Sequence, residues 1–259
     1  MTNDIIRVAD DFWNIRGSFK VGGLIDVGTH GSLVRLKSGR FVLLDACPMS
    51  NATEREIRAI TDGGERLQAI LNLHPFHTLY VSRTHERFPE AKLYGTERHL
   101  DRFANLPWEM QRTEDPSLHA LFGDDFEFSV PRGVDFISDN EKVHFASVLV
   151  YHRASKTIHV DDTLIYVRMP KLVRVLKSDL LRFHPTLGQA LERRASAAAD
   201  FRAWARELAG RWGEAENLCA AHTASLLAAE HAGTSVKRRL LSALDKASVT
   251  LDKHERRHG

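Results

Sequence analysis

The chain has 259 residues, 43% of them hydrophobic and 27% charged, and 36 basic side chains against 34 acidic ones leave a formal charge of +2. That composition excludes an intrinsically disordered chain, a collagen-like repeat and a low-complexity scaffold. Two cysteines, Cys47 and Cys219, exclude a disulfide framework and a four-cysteine zinc site, whereas 14 histidines draw attention, because imidazole is the commonest metal ligand and proton carrier in enzymes.

In chain order, residues 21–46 carry short apolar runs punctuated by Gly28, Gly31 and Gly39. With Ser38-Gly39 at a turn position, they read as an antiparallel meander. Asn51 followed by Glu54 is a capping-box pattern that opens a helix ending at Gly63 and Gly64. Residues 67–73 form a buried-strand run, 78–87 a helix closed by Pro89, and 91–94 a further strand, which together make an α/β unit. Residues 105–125 hold two prolines and little periodicity and read as an inserted loop or lid. Strands are expected again at 134–137, 143–151 and 157–160, then a helix over 190–208 and a strand at 217–220. Interleaved strands and helices favour one domain over residues 1–235, followed by a C-terminal helix and charged tail at 236–259.

Most basic residues alternate with acids. The exceptions, residues 171–177 and the run Lys237, Arg238 and Arg239, read as solvated faces, so no nucleic-acid partner is expected. No stretch approaches the ~18 consecutive apolar residues of a membrane span. The first residues, with Asp4, Asp10 and Asp11, lack the cationic and apolar regions of a secretory signal. A cytoplasmic protein without a membrane partner is the expectation.

Five polar residues fall at strand ends, where α/β folds gather their chemistry. They are His74 and His77 after the 67–73 strand, His144 at the start of the 143–151 strand, Asp162 after Val160, and His222 after Ala220. A single histidine beside a strand is usually structural, but the ordered set points to a metal centre. His85 and His99 fall on expected helices and read as solvated. His152 and His159 read as supporting or surface residues, and His254 and His258 as parts of a frayed tail. Cys219 has metal-ligand spacing to His222, although a strand cysteine more often packs as a small apolar group.

Residues 69–94, AILNLHPFHTLYVSRTHERFPEAKLY, resemble the strand, metal loop, helix and strand of the metallo-β-lactamase superfamily, whose loop reads His-x-His-x-Asp-His. In the register fixed by Phe88-Pro89, Asn72 stands at the first histidine, His74 at the second, Phe76 at the aspartate and His77 at the last histidine. Residues 143–164, VHFASVLVYHRASKTIHVDDTL, are similar to the family's third-histidine and bridging-aspartate segment, giving those roles to His144 and Asp162, with Asp161 as the neighbouring alternative. NLCAAHTASLL, residues 217–227, resembles the segment that delivers the final histidine, His222. LLDAC, residues 43–47, resembles the second-strand segment whose acid, Asp45, has a structural role near the site. The resemblance implies a four-layer αββα sandwich.

It also implies a divalent metal held by His74, His77, His144, Asp162 and His222, with Asp162 serving catalysis and Asn72 as a weak ligand or supporting group. Phe76 cannot coordinate, so the surviving ligands suit one ion better than two. Zinc is the first candidate, with iron or manganese as the others. The implied chemistry is attack of a metal-bound hydroxide on an ester, thioester, lactone or phosphate bond, since a catalytic zinc brings the pKa of its water to ~7. Phe76, Trp108, Met110 and Phe122 are candidate contacts for a small-molecule substrate or ligand. The other reading is a non-catalytic relative whose degenerate site binds a small ligand or a protein partner. No Gly-x-Ser-x-Gly elbow or Walker loop offers a competing chemistry, and nothing in the sequence specifies an oligomeric state.

Overall fold

A computed structural model describes residues 4–21, 25–169, 179–222, 224–230 and 234–259. The basic stretch 171–177 lies outside them. The chain divides into two compact units, one made of residues 1–128 with 152–155 and the other of 129–151 with 156–259.

The first unit contains β1 (Ile5–Ala9), β2 (Phe12–Gly17), β3 (Lys20–Val21), β4 (Ile25–Asp26), β5 (Thr29–Arg35), β6 (Phe41–Leu44), β7 (Leu67–Leu71) and β8 (Lys92–Tyr94). Its main sheet runs β1-β2-β5-β6-β7-β8. The expected meander is its antiparallel half, where β2 pairs with β5 and β5 with β6. Gly39, at φ 78°, turns the β5–β6 hairpin, a conformation glycine adopts without a Cβ clash. β6, β7 and β8 are parallel. Parallel neighbours need crossovers, and α1 (Asn51–Ile60) and α2 (Val81–Arg87) supply them, with α3 (Glu97–Arg102) and α4 (Pro116–Leu121) following β8. Ile15, Leu33, Leu43, Ile57, Ile70 and Leu93 form the centre of this unit's core. Burying each such side chain contributes about 1.5–3 kcal/mol.

Two boundaries differ from expectation. α1 is capped by Ser50, whose hydroxyl accepts from the Thr53 N–H at 3.1 Å, one residue before the expected Asn51 cap. α2 starts at Val81 and not at residue 78, because the preceding backbone is spent on turns: the N–H of His77 donates to His74 at 3.0 Å and that of Thr78 to Phe76 at 3.1 Å.

The division between units falls within β9 (Phe126–Ser129) and β10 (Leu149–His152). The second unit carries β11 (Thr157–Val160), β12 (Leu164–Val167), β13 (Leu180–Phe183), β14 (Asn217–Ala220) and β15 (Ser225–Leu226), with helices α5 (Leu187–Ala190), α6 (Ala197–Arg211) and α7 (Val236–His258). Within it β15, β14, β11 and β10 lie in that order, and β12 pairs with β13. α6 buries Ala197, Ala198, Phe201, Trp204, Ala205 and Leu208, a helical stripe, against the unit's core. α7 does the same with Leu240, Leu244, Ala247 and Leu251.

The expected 134–137 strand is only a single bridge between Val134 and Leu191. Gly133, at φ 74°, turns the chain there, and a Cβ at this position would lie 2.0 Å from the Ala197 carbonyl oxygen. The same bridge holds Leu191 extended, so α6 begins at Ala197 and not near residue 190. The expected 143–151 strand is regular only from Leu149. The C-terminus is not frayed: α7 continues to His258, and His254, 7% exposed, bonds through Nε2 to the Glu192 carbonyl oxygen at 3.0 Å. Both cysteines are free and buried, and no described helix is long and apolar enough to cross a membrane.

Candidate metal centre

In the first unit the carboxyl ends of β6, β7 and β8 stand side by side, the position at which a parallel sheet presents loops for chemistry. Asp45 follows β6, residues 72–77 follow β7, and Gly95 and Thr96 follow β8. Asp45 adopts φ 60°, and its buried Oδ1 accepts the Leu73 N–H at 2.7 Å. It thereby fixes the start of the loop that carries His74 and His77. Gly31 on β5 makes room for this arrangement, since a Cβ there would lie 2.7 Å from the Asp45 carbonyl oxygen.

Asn72 is fully buried. Its Nδ2 donates to the Tyr94 carbonyl oxygen at 3.0 Å, while its own carbonyl accepts from the Thr113 hydroxyl at 2.9 Å. Its side-chain oxygen is buried and meets no hydrogen-bond donor. The rings of His74 and His77 stack at 4.0 Å, 13° from parallel, with a nitrogen of each within 4.8 Å of the other. His74 is fully buried and accepts the Phe76 N–H at Nδ1, 3.1 Å away. Phe76 is half-buried, with the Arg98 guanidinium over its ring at 4.5 Å.

His99 is buried, contrary to the solvated reading. It closes the first turn of its own helix, its Nδ1 accepting the Thr96 N–H at 3.2 Å, and its Nε2 lies 3.4 Å from the His77 carbonyl oxygen. Burial pushes its pKa down to about 3. Of the other expected contacts, Met110 is 90% exposed and Phe122 is buried edge-on to Tyr94 at 5.8 Å. Trp108 is half-buried and donates Nε1–H to the Phe103 carbonyl oxygen at 2.9 Å. His85 is half-buried on α2.

In the second unit β11 and β14 are parallel, pairing His159 with Cys219 and Val160 with Ala220, and the Ala221 N–H continues the ladder to the Val160 carbonyl oxygen at 3.2 Å. The two chains therefore leave the sheet together. Asp162 and His222 meet there, with Nε2 of His222 2.6 Å from the carboxylate. Thr163 anchors the turn: its hydroxyl donates to the Phe145 carbonyl oxygen at 2.9 Å and accepts the Ser147 N–H at 3.1 Å. These bonds hold residues 145–147 in place of a strand ladder.

His144 is half-buried and turns its Nε2 to the Glu141 carbonyl oxygen. His159 and Asp161 are both buried, with a ring nitrogen and a carboxylate oxygen within 4.8 Å, so His159 is not a surface residue. Nor is His152 of the first unit, buried beside Phe12 and Phe126.

His184, outside the expected site residues, follows β13. Its Nδ1 lies 2.7 Å from the Thr186 hydroxyl. Burial lowers its pKa, Asp162 opposes that shift, and the nearby His222 and His144 add to it. His184 thus shares the electrostatic surroundings of the Asp162–His222 pair. The strand it follows, β13, is not among the expected strands, so the rule that selects the other histidines does not reach it.

In the first unit the stacked imidazoles of His74 and His77, and in the second the Asp162 carboxylate with the His222 imidazole, are donor types that divalent transition metals accept.

Neither a family model nor a curated protein matches the sequence. Solved structures do. A metallo-β-lactamase from Pontibacter korlensis is 16% identical, with a TM-score of 0.56 over 93% of this chain and 98% of that one. One from Erythrobacter litoralis is 12% identical, with a TM-score of 0.58 over 99% and 98%. One from Hirschia baltica is 9% identical, with a TM-score of 0.58 over 95% and 96%. This likeness over nearly the full length shows that the chain has the α/β fold of the metallo-β-lactamases.

Proposed function

We propose that the chain is a metal-dependent hydrolase-like protein acting on a small molecule. Its divalent ion, zinc before iron or manganese, is held by the ligand set that the sequence resemblance implies: His74, His77, His144, Asp162 and His222. The observation that carries this reading is the Asp162–His222 pair just beyond the carboxyl ends of two parallel strands, a carboxylate and an imidazole side by side. Bound there, the ion would supply a hydrolytic nucleophile at neutral pH and polarise the scissile carbonyl or phosphoryl oxygen.

The chain's own residues have assignable parts. Asp45 holds the His74–His77 loop by its bond to Leu73. Thr163 holds Asp162 in its turn. Asp162, its carboxylate 2.6 Å from Nε2 of His222, keeps the two groups side by side. Asn72, an amide oxygen where the family has a histidine, contributes a weak donor. One ion suits this set better than two. The substrate class is an ester, thioester, lactone or phosphate ester, and the setting is cytoplasmic.

A second reading rests on Phe76. Its ring fills the position of the family's aspartate and stacks under Arg98, an arrangement that coordinates nothing and suits a non-catalytic protein binding a small ligand or a partner.

The test is hydrolysis of chromogenic ester, thioester, lactone and phosphate substrates by zinc-, iron- or manganese-loaded protein, beside the His222→Ala variant. Metal-dependent turnover of one class, lost in His222→Ala, supports the first reading. Metal binding without turnover of any class supports the second.

A further inference from the structure

The second unit has an open cavity of about 980 Å³ between α7, the residues after α5 and the segment 135–140. Three exposed cations line it: Arg193, from the segment after α5, and Lys253 and Arg257, one turn apart on α7. None of the three has a carboxylate within ion-pair distance among the described residues. Their neighbours explain why. The acids of α7 nearest in sequence, Asp252 and Glu255, pair with Arg202, and Glu192 and Asp200 pair with Arg194.

Basic residues near a helix C-terminus are ordinary, because they complement the helix dipole, typically by about 0.3–1 kcal/mol. That accounts for Arg257, in the last turn of α7, but not for Lys253, a turn earlier, or for Arg193, which belongs to another element. Like charges one turn apart on a helix also repel. Arg193 is held beside α7 by its neighbour, since His254 bonds through Nε2 to the Glu192 carbonyl oxygen at 3.0 Å. His254 is 7% exposed, its ring packs on His258 at 4.5 Å, and its Nδ1 is buried without a hydrogen-bond partner. His258 is kept below its ordinary pKa by burial and then by His254, Arg257 and Arg193, the mark of a locally positive field. With Nε2 donating to the Glu192 carbonyl oxygen, Nδ1 of the neutral ring is an acceptor, so it calls for a hydrogen-bond donor and not for an anion.

We propose that this cavity binds a phosphate-bearing small molecule, with the phosphate taken by Arg193, Lys253 and Arg257. Two guanidinium forks match phosphate oxygens in pairs, and the lysine adds a point charge. Asp135 and Asp139 also line the cavity; burial raises the carboxyl pKa of Asp135 and the Arg193 guanidinium opposes that rise, so these acids would favour the hydroxyl or amino end of such a ligand over its phosphate. The volume falls in the range typical of small-molecule sites. The site uses none of the proposed metal ligands and stands or falls apart from them.

The experiment is calorimetric titration of the full chain with inorganic phosphate, pyrophosphate and AMP at low salt. Binding of at least one is expected, weakened tenfold or more in an Arg193→Ala/Arg257→Ala double variant. Binding should be unchanged in Arg256→Ala, which removes an adjacent exposed charge that does not line the cavity, and in His222→Ala, which removes a proposed metal ligand. Far-UV circular dichroism checks that the variants are folded. Absence of binding by all three probes overturns the proposal. So does an Arg256→Ala loss as large as that of the double variant, or loss of binding in His222→Ala.

Discussion

The imidazole of His222 meets the carboxylate of Asp162 at 2.6 Å because β11 and β14 run parallel and in register, so that the residues just beyond Val160 and Ala220 leave the sheet as neighbours. The first consequence concerns Thr163, which follows Asp162 directly. Thr163→Val keeps the shape but leaves the buried Phe145 carbonyl and Ser147 N–H without the hydroxyl. Leaving such groups unsatisfied costs about 1–3 kcal/mol. Urea unfolding should show a loss of that size, whereas a midpoint within error of the parent would show that the hydroxyl does not hold the turn.

Asp45 makes a parallel prediction in the first unit. Asp45→Ala removes the acceptor of the Leu73 N–H and retains a Cβ at φ 60°, so the left-handed backbone stays unfavourable while the bond that stabilised it is gone. A destabilisation of about 1–3 kcal/mol is expected. Asp45→Asn, which keeps an oxygen in place, should recover part of it. Equal losses in the two variants would assign the effect to the carboxylate charge instead of the bond.

Acid should weaken the first unit through His152. Its ring is buried between Phe12 and Phe126, and burial pushes its pKa down to about 4. In the unfolded chain it titrates at the ordinary value of about 6.5, so the unfolded state binds the extra proton first. Stability from this group is therefore present above pH 6.5 and is lost as pH falls towards 4, by up to about 1.4 kcal/mol per pH unit. Unfolding free energies of the parent and His152→Gln, measured from pH 7 to 4.5, should show a shallower acid slope in the variant. Parallel slopes would mean that other groups carry the acid sensitivity.

The strands behind the Asp162–His222 pair are legible in the sequence, because β11 and β14 are short segments with Ile158, Val160, Leu218 and Cys219 between turn residues. Residues 143–148 look the same in the sequence but are held by Thr163 and not by a ladder, a tertiary bond that no local pattern reports. His99 and His254 were misread for a related reason: a position on a helix does not reveal whether an imidazole faces solvent, closes a helix turn or anchors a neighbouring segment. The roles of Asp45 and Asn72 came only from family resemblance. His184 carries no signal in the sequence, because the short strand that places it, β13, pairs only with β12 among the described residues and has no turn pattern of its own to mark it.

The two departures from the family motif lend themselves to reversal. Asn72→His and Phe76→Asp together restore the missing donors, and metal stoichiometry should rise towards two per chain. An unchanged stoichiometry would place these positions outside the metal centre.

The most direct test of the metal reading is the metal content of the purified chain after equilibration with zinc, iron or manganese and removal of free ion, read by plasma mass spectrometry for the parent, His144→Ala, His222→Ala and His85→Ala. About one ion per chain is expected in the parent and in His85→Ala, and little in the other two. Traces alone in the parent, or equal retention in all three variants, would contradict the proposed centre.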